Sequence, residues 1–244
     1  MAEFNICLAG CVIGVEVMDP RLEQYCKQYL CDGPADFKVK TERSDLAFEQ
    51  AKADRDNLRC GNPVIKYGDA YMELLALYRR IVEKILSYDA MLFHGSAIAV
   101  DGIGSLFTAT SGTGKSTHTA LWLDLFPESF ILNDDKPVLQ PRKDGVTVWG
   151  TPFAGKTDLQ VNRGVPLKAI CFLKQGSENQ IRRLDETEAL ARMLNNTWRP
   201  NTGCGMERLL DLMQMILAQR PMYEMTCTTQ LEAAQLSYKV MKGM

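Results

Sequence analysis

The run Ala109-Thr110-Ser111-Gly112-Thr113-Gly114-Lys115-Ser116-Thr117 fits the phosphate-binding loop pattern, with alanine where glycine usually opens it. Its glycines let successive backbone N–H groups turn inward around phosphate oxygens, which bulky side chains prevent. A helix beginning near Lys115 adds the positive end of its dipole. Lys115 can reach terminal phosphates as a point charge, and the Ser116 hydroxyl can ligate Mg²⁺. The predicted phosphate-contacting set is Ser111, Gly112, Thr113, Gly114, Lys115, Ser116 and Thr117.

The context on both sides agrees with that reading. Residues 92–100 and 105–108 read as strands flanking Asp101-Gly102-Ile103-Gly104, a strong turn signal, so a hairpin feeds directly into the loop. After the loop, Leu121, Trp122, Leu125 and Phe126 recur at helical spacing over 116–126. Phe130-Ile131-Leu132 then predicts a short buried strand running into Asn133-Asp134-Asp135. In an open α/β sheet, ligands gather at the carboxyl ends of strands, so this acidic pair is expected at the same edge as the loop. Two adjacent carboxylates repel unless a cation lies nearby. One is expected to hold Mg²⁺ while the other accepts a hydroxyl proton, and the site set assigns Ser116 and Asp135 to the metal. An Asx-type turn leading to Pro137 is the structural alternative.

His94 begins the hairpin that ends in the loop, which puts it near transferred phosphate; a hydrogen-bonded structural histidine is the alternative. His118, in the first turn of the following helix, reads as ordinary. Gly150-Thr151-Pro152-Phe153-Ala154-Gly155-Lys156 is either a mobile loop over the acceptor, with Lys156 as its substrate contact, or a surface turn.

The rest of the chain supplies scaffold. Residues 4–17 read as a bent strand or hairpin, 37–40 as an exposed strand, 45–56 as a charged helix and 57–62 as a loop. A strong apolar stripe from Leu74 to Leu86 predicts a helix capped at Asp69. Strands are expected at 146–149, 169–174 and 222–227, and helices at 186–194, 206–218 and 231–241. The domain boundary is expected at 65/66, giving a small N-terminal α+β module over 1–65 and a nucleotide-binding core over 66–244.

Net charge is −2, which argues against general nucleic-acid or membrane-surface binding. No apolar run approaches the roughly 20 residues that span a bilayer. The N-terminus lacks a secretion signal, so the expected compartment is the cytoplasm. The cysteines Cys7, Cys11, Cys26, Cys31, Cys60, Cys171, Cys204 and Cys227 include no Cys-x-x-Cys pair and are expected to be reduced thiols.

Taken together, His94-Gly95-Ser96-Ala97, the hairpin, Ser111 to Ser116 and Asn133-Asp134-Asp135 resemble the catalytic domain of HPr kinase/phosphorylase. The likeness is greatest to small stand-alone HPr-kinase-like proteins of bacteria, sometimes encoded beside peptide-modification genes. The loop is also similar to that of phosphoenolpyruvate carboxykinase. The resemblance covers about residues 90–175. It implies an α/β fold with a mixed, strongly curved sheet cradling the loop. It also implies phosphate-handling, metal-binding and catalytic-base roles for His94, Lys115, Ser116, Asp134 and Asp135. Thr117 stands where HPr kinases usually carry glutamate, and their arginine-bearing C-terminal segment is not recognisable here.

The resulting expectation is an ATP- and Mg²⁺-dependent kinase-like phosphotransferase. Its acceptor would be a hydroxyl, on a peptide serine or a small metabolite, and self-association is left open. The alternatives are a nucleotide-binding regulatory module without turnover and an ATP hydrolase.

Overall fold

The structure, a computed structural model, describes residues 1–110, 113–155 and 157–242. Two compact units emerge, Met1–Ile85 and Leu86–Met244. This division places the helix over Asp69–Ile85 with the first unit, whereas the sequence reading grouped it with the second. Among the described residues, no helix is long and apolar enough to cross a membrane. All the cysteines are free thiols.

In the first unit, β1 (Ala2–Leu8) and β2 (Cys11–Val17) form the expected hairpin. It turns through Ala9 and Gly10, both at positive φ. A short α1 (Arg21–Tyr25) follows, and β3 (Phe37–Lys40) adds to β2 in parallel. Helix α2 (Arg43–Arg59) runs past the expected loop start at residue 57, and α3 (Asp69–Ile85) is the strongly amphipathic one. Buried charge holds these helices together. Arg79 donates to Glu49 and to Asp45, each at 2.6 Å, and both carboxylates are 4% exposed. On the next turn inward, Glu73 accepts from the backbone N–H groups of Met18 and Asp19 and from the Thr41 hydroxyl.

The second unit is a nine-stranded mixed sheet with helices. Its first strands are β4 (Met91–Leu92), β5 (Ser96–Val100) and β6 (Ile103–Thr108), followed by α4 (Lys115–Leu125) and β7 (Phe130–Asn133). Next come β8 (Val138–Arg142), β9 (Gly145–Trp149), β10 (Gly164–Gln175) and β11 (Gln180–Arg183). The chain closes with α5 (Glu186–Asn195), α6 (Gly203–Gln219), β12 (Met222–Cys227) and α7 (Leu231–Lys242). The strand order is β4-β8-β9-β10-β6-β5-β7, with β12 on β10 and β11 on β12.

The hairpin β5–β6 forms as read, turning through Asp101 and Gly102 at φ 53° and 74°, the positive pair that a two-residue turn matching strand twist requires. The expected strand over 92–100 is broken, however, at Phe93–Gly95. Phe93 donates to Pro137 and Gly95 to Asp135, in the register of Leu92↔Val138 and Ala97↔Asn133, while the His94 N–H between them goes to Asn196. Strand β8 was missed, because Pro141 inside it argues against a strand; it pairs with β9 as Pro141↔Val146. Strand β10 runs longer than the expected 169–174 and changes partners along its length. It is antiparallel to β9 over Gly164–Pro166, then parallel to β6 from Leu167 and to β12 from Ile170. That change of partner makes the sheet mixed and curls it.

Arg79→Ala should destabilise the first unit by about 3 kcal/mol, because Glu49 then stays buried without its cation. Urea unfolding followed by far-UV circular dichroism measures this, and an unchanged midpoint would show that the network contributes nothing net.

Candidate active site

Strand directions bring the site together. β5 is antiparallel to both β6 and β7, so the ends of β6 and β7 and the start of β5 share one sheet edge. The carboxyl ends of β10 and β12 join the same edge, since β10 runs parallel to β6 and to β12. All the proposed chemistry sits at this edge except two loop residues, Ser111 and Gly112, and Lys156, which lie outside the described residues.

The loop leaves β6 after Thr108, and α4 starts at Lys115 with Gly114 as its N-cap at φ +103°. A left-handed cap of this kind suits glycine. Thr113 closes a turn onto the Thr110 carbonyl at 3.1 Å. The Lys115 ammonium donates to the Ala109 carbonyl at 3.3 Å. Burial pushes its pKa down, and the charges of Asp135 and Asp134 oppose that only in part. Thr117, in the first helical turn, lines a cleft beside the loop.

Asp134 is 6% exposed. Its Oδ1 accepts from the Ser96 hydroxyl at 2.6 Å and its Oδ2 from the Ser116 hydroxyl at 3.0 Å. The sequence reading joined Ser116 to Asp135 as metal ligands; the structure instead brings Ser116 to Asp134. Two hard oxygens side by side form a donor set suited to Mg²⁺, which takes one or two protein ligands and leaves the remainder to phosphate and water. Among the described residues no three His, Cys, Asp or Glu side chains converge to form another metal site.

Asp135 has different neighbours. His94 Nε2 lies 3.3 Å from Oδ1 and the Lys136 ammonium 3.1 Å from Oδ2. Burial pushes its pKa up, but the His94 hydrogen bond and the Lys136 charge outweigh this and hold the carboxyl below the usual range. His94 is itself fixed through its backbone. Its N–H donates to the Asn196 carbonyl at 2.7 Å, and its carbonyl accepts from the Thr108 hydroxyl at 2.8 Å. Gly95 has to be glycine, because a Cβ there would meet the Phe107 carbonyl at 2.7 Å.

The acidic turn is built on Asn133, whose Oδ1 accepts from the N–H groups of both Asp135 and Lys136. Asn133 Nδ2 in turn donates to Thr151, and the Thr151 hydroxyl donates to the Lys136 carbonyl. The Asx turn and the functional arrangement therefore coexist. They also anchor residues 150–155, where Thr151, Phe153 and Ala154 are buried. This burial differs from the surface turn offered by sequence. Gly150 packs so tightly that a Cβ would lie 2.0 Å from the Val161 carbonyl. Gly155, at φ +68°, passes 3.1 Å from the Asp135 carboxylate, measured from an added Cβ.

His118 is buried, its ring tilted at 58° against that of Phe107 and bonded through Nε2 to Ser237. Sequence reasoning missed Ser96, Lys136 and Asn196 as parts of the site. Ser96 and Lys136 adjoin the quoted motifs, whereas nothing local points to Asn196, which reaches Thr108 from a helix end far along the chain.

The family model described as SynChlorMet cassette protein ScmC matches residues 62–228. No curated protein matches the chain. Among solved structures, the Hpr(Ser) kinase/phosphatase from Coxiella burnetii is similar at 14% identity, over 62% of this chain and 95% of that one, with a TM-score of 0.36.

Asn133→Ala should lower stability by about 2 kcal/mol, since two partly buried N–H donors lose their acceptor. Thermal unfolding checks it; a wild-type midpoint would mean that the turn holds without its side chain.

Proposed function

The chain belongs to the ScmC family, and we propose that it is an ATP- and Mg²⁺-dependent kinase-like phosphotransferase acting on a hydroxyl of a peptide or small molecule. One observation carries this reading. A cation-binding pair, Ser116 with Asp134, and an oriented carboxylate, Asp135 with His94, meet beside Lys115 at one sheet edge. A sheet edge with only a structural role has no need to bury Asp134 against two hydroxyls or to aim a histidine at its neighbour.

Each group then has a role. Backbone N–H groups of the loop and the start of α4 bind the phosphate chain. Lys115 meets the charge that builds on the transferred phosphoryl group, where a fixed cation in a partly buried site acts most strongly. Ser116 and Asp134 would hold Mg²⁺, which supplies charge neutralisation to the terminal phosphates. Asp135 takes the proton of the acceptor hydroxyl as its oxygen bonds to phosphorus and the bond to the ADP leaving group breaks. His94 and Lys136 keep that carboxylate ionised and oriented. Gly155 leaves room above it for the acceptor.

Lys115→Met should leave the fold intact, weaken ATP binding and lower turnover by at least about 100-fold. Asp134→Asn should raise the Mg²⁺ requirement. Asp135→Asn should abolish transfer with nucleotide binding retained. Calorimetry with ATP, together with ³²P transfer to peptide and metabolite hydroxyls, reads all three. ATP affinity unchanged in Lys115→Met would sink the phosphate-loop assignment. Tight ATP binding without transfer to any acceptor would favour the regulatory module, and ADP release with water alone the hydrolase.

A further inference from the structure

One row of side chains crosses four strands and leads from His94 to a group of cations. The register pairs Thr108 of β6 with Phe172 of β10, Phe172 with Glu224 of β12, and Glu224 with Arg182 of β11. Paired residues share a face of the sheet. Thr108 opens the row beneath His94, whose carbonyl its hydroxyl holds. Neighbouring strands lie about 4.8 Å apart, so Glu224 stands about 10 Å from Thr108.

Helix α5 follows this row. Near its start Glu188 pairs with Arg182 through two bonds, and just past its end Asn196 accepts from the Thr108 hydroxyl. Between them the Arg192 guanidinium lies 5.7 Å from the centre of the Phe172 ring and bonds to Glu224. Lys174, two residues beyond Phe172 on the same face and nearer the edge, reaches Glu224 at 2.6 Å.

The charges in this group do not balance. Glu224 is 11% exposed, with Oε1 taken by Arg182 and Oε2 by both Arg192 and Lys174. Because Glu188 already neutralises Arg182, Lys174 and Arg192 share one carboxylate among the described residues. Both remain open to water, at 53% and 30% exposure. Ion pairs so exposed add little stability, so the fold does not call for a third cation here. An ammonium and a guanidinium held together with one charge to spare suit a further carboxylate.

The geometry points to Lys174 and Arg192 as the site that reads the acceptor, an acidic peptide whose Asp or Glu side chain meets these cations while its hydroxyl lies at Asp135. This assignment rests on the phosphotransferase reading above and narrows its acceptor to a peptide. A small molecule with its carboxylate close to its hydroxyl cannot span roughly 10 Å between the two places. An extended peptide rises about 3.3 Å per residue, which puts the acidic residue about three to five positions from the hydroxyl.

The test is ³²P transfer from ATP with Mg²⁺ to synthetic peptides, each with one central serine and with aspartate, alanine or lysine at those positions on both sides. Wild-type protein should label the aspartate peptides at least about tenfold faster than the alanine ones, and the lysine peptides slowest. Added salt should shrink that ratio, since the cations are exposed. Lys174→Glu should reverse the order of aspartate and lysine peptides. Lys174→Ala, a milder change that serves if the glutamate variant fails to fold, should bring aspartate peptides down toward alanine ones. Each result is a ratio within one protein, so a change in ATP binding or in the folded fraction does not move it. Equal labelling of the three series, or an aspartate preference undiminished in folded Lys174→Ala, overturns the assignment and leaves the phosphotransferase reading standing. Transfer to a small-molecule hydroxyl and to none of the peptides does the same. No transfer to any hydroxyl overturns the phosphotransferase reading itself, and this assignment with it.

Discussion

A carboxyl group buried at the end of a strand is tolerated only where donors surround it, and Asp134 is the point on which the second unit turns. Its two oxygens are taken by hydroxyls from different elements, Ser96 at the start of β5 and Ser116 in α4. One acceptor thus fixes the helix after the loop against two strands. Thr119 reinforces the joint, with its hydroxyl 3.2 Å from that of Ser96. The register of β5 against β6 and β7 follows, since Ser96 can reach Asp134 only if β5 starts where β7 ends.

The same requirement accounts for the break before β5. A continuous strand through residues 93–95 would keep its N–H groups in the ladder. Here the Phe93 and Gly95 N–H groups do so, bonding to Pro137 and Asp135, while the His94 N–H leaves for Asn196. The backbone that orients the histidine is therefore held by the acidic turn on one side and by the end of α5 on the other. Gly95 allows the close pass against the Phe107 carbonyl that this path needs.

Much of this arrangement was legible in the sequence, and the reasons are local. The Asp101-Gly102 turn, the glycine cap at Gly114 and the four-residue spacing of Trp122 and Phe126 each report on backbone a few residues away. Asn133-Asp134-Asp135 could be placed at the loop's edge because a single helix and turn separate them. What sequence did not show depends on distant partners. The proline in β8 is tolerated because β4 pairs only with Val138 and Leu139, which leaves Pro141 a strand partner on the β9 side alone. The burial of residues 150–155 depends on Asn133 reaching Thr151. The pairing of Ser116 with one aspartate over the other was undetermined in sequence, where both stand equally near.

That last choice shows how adjacent carboxylates acquire different work. Past the end of β7 the chain bends on the Asx turn of Asn133, and the two carboxylates meet different partners. Asp134 meets the Ser96 and Ser116 hydroxyls, and on the proposed reading its pairing with Ser116 makes it the seat for a hard cation. Asp135 meets the His94 imidazole and the Lys136 ammonium group. On the proposed reading, environment acting on two identical side chains separates the metal ligand from the base, which is the general way a fold runs acid–base chemistry with few residue types.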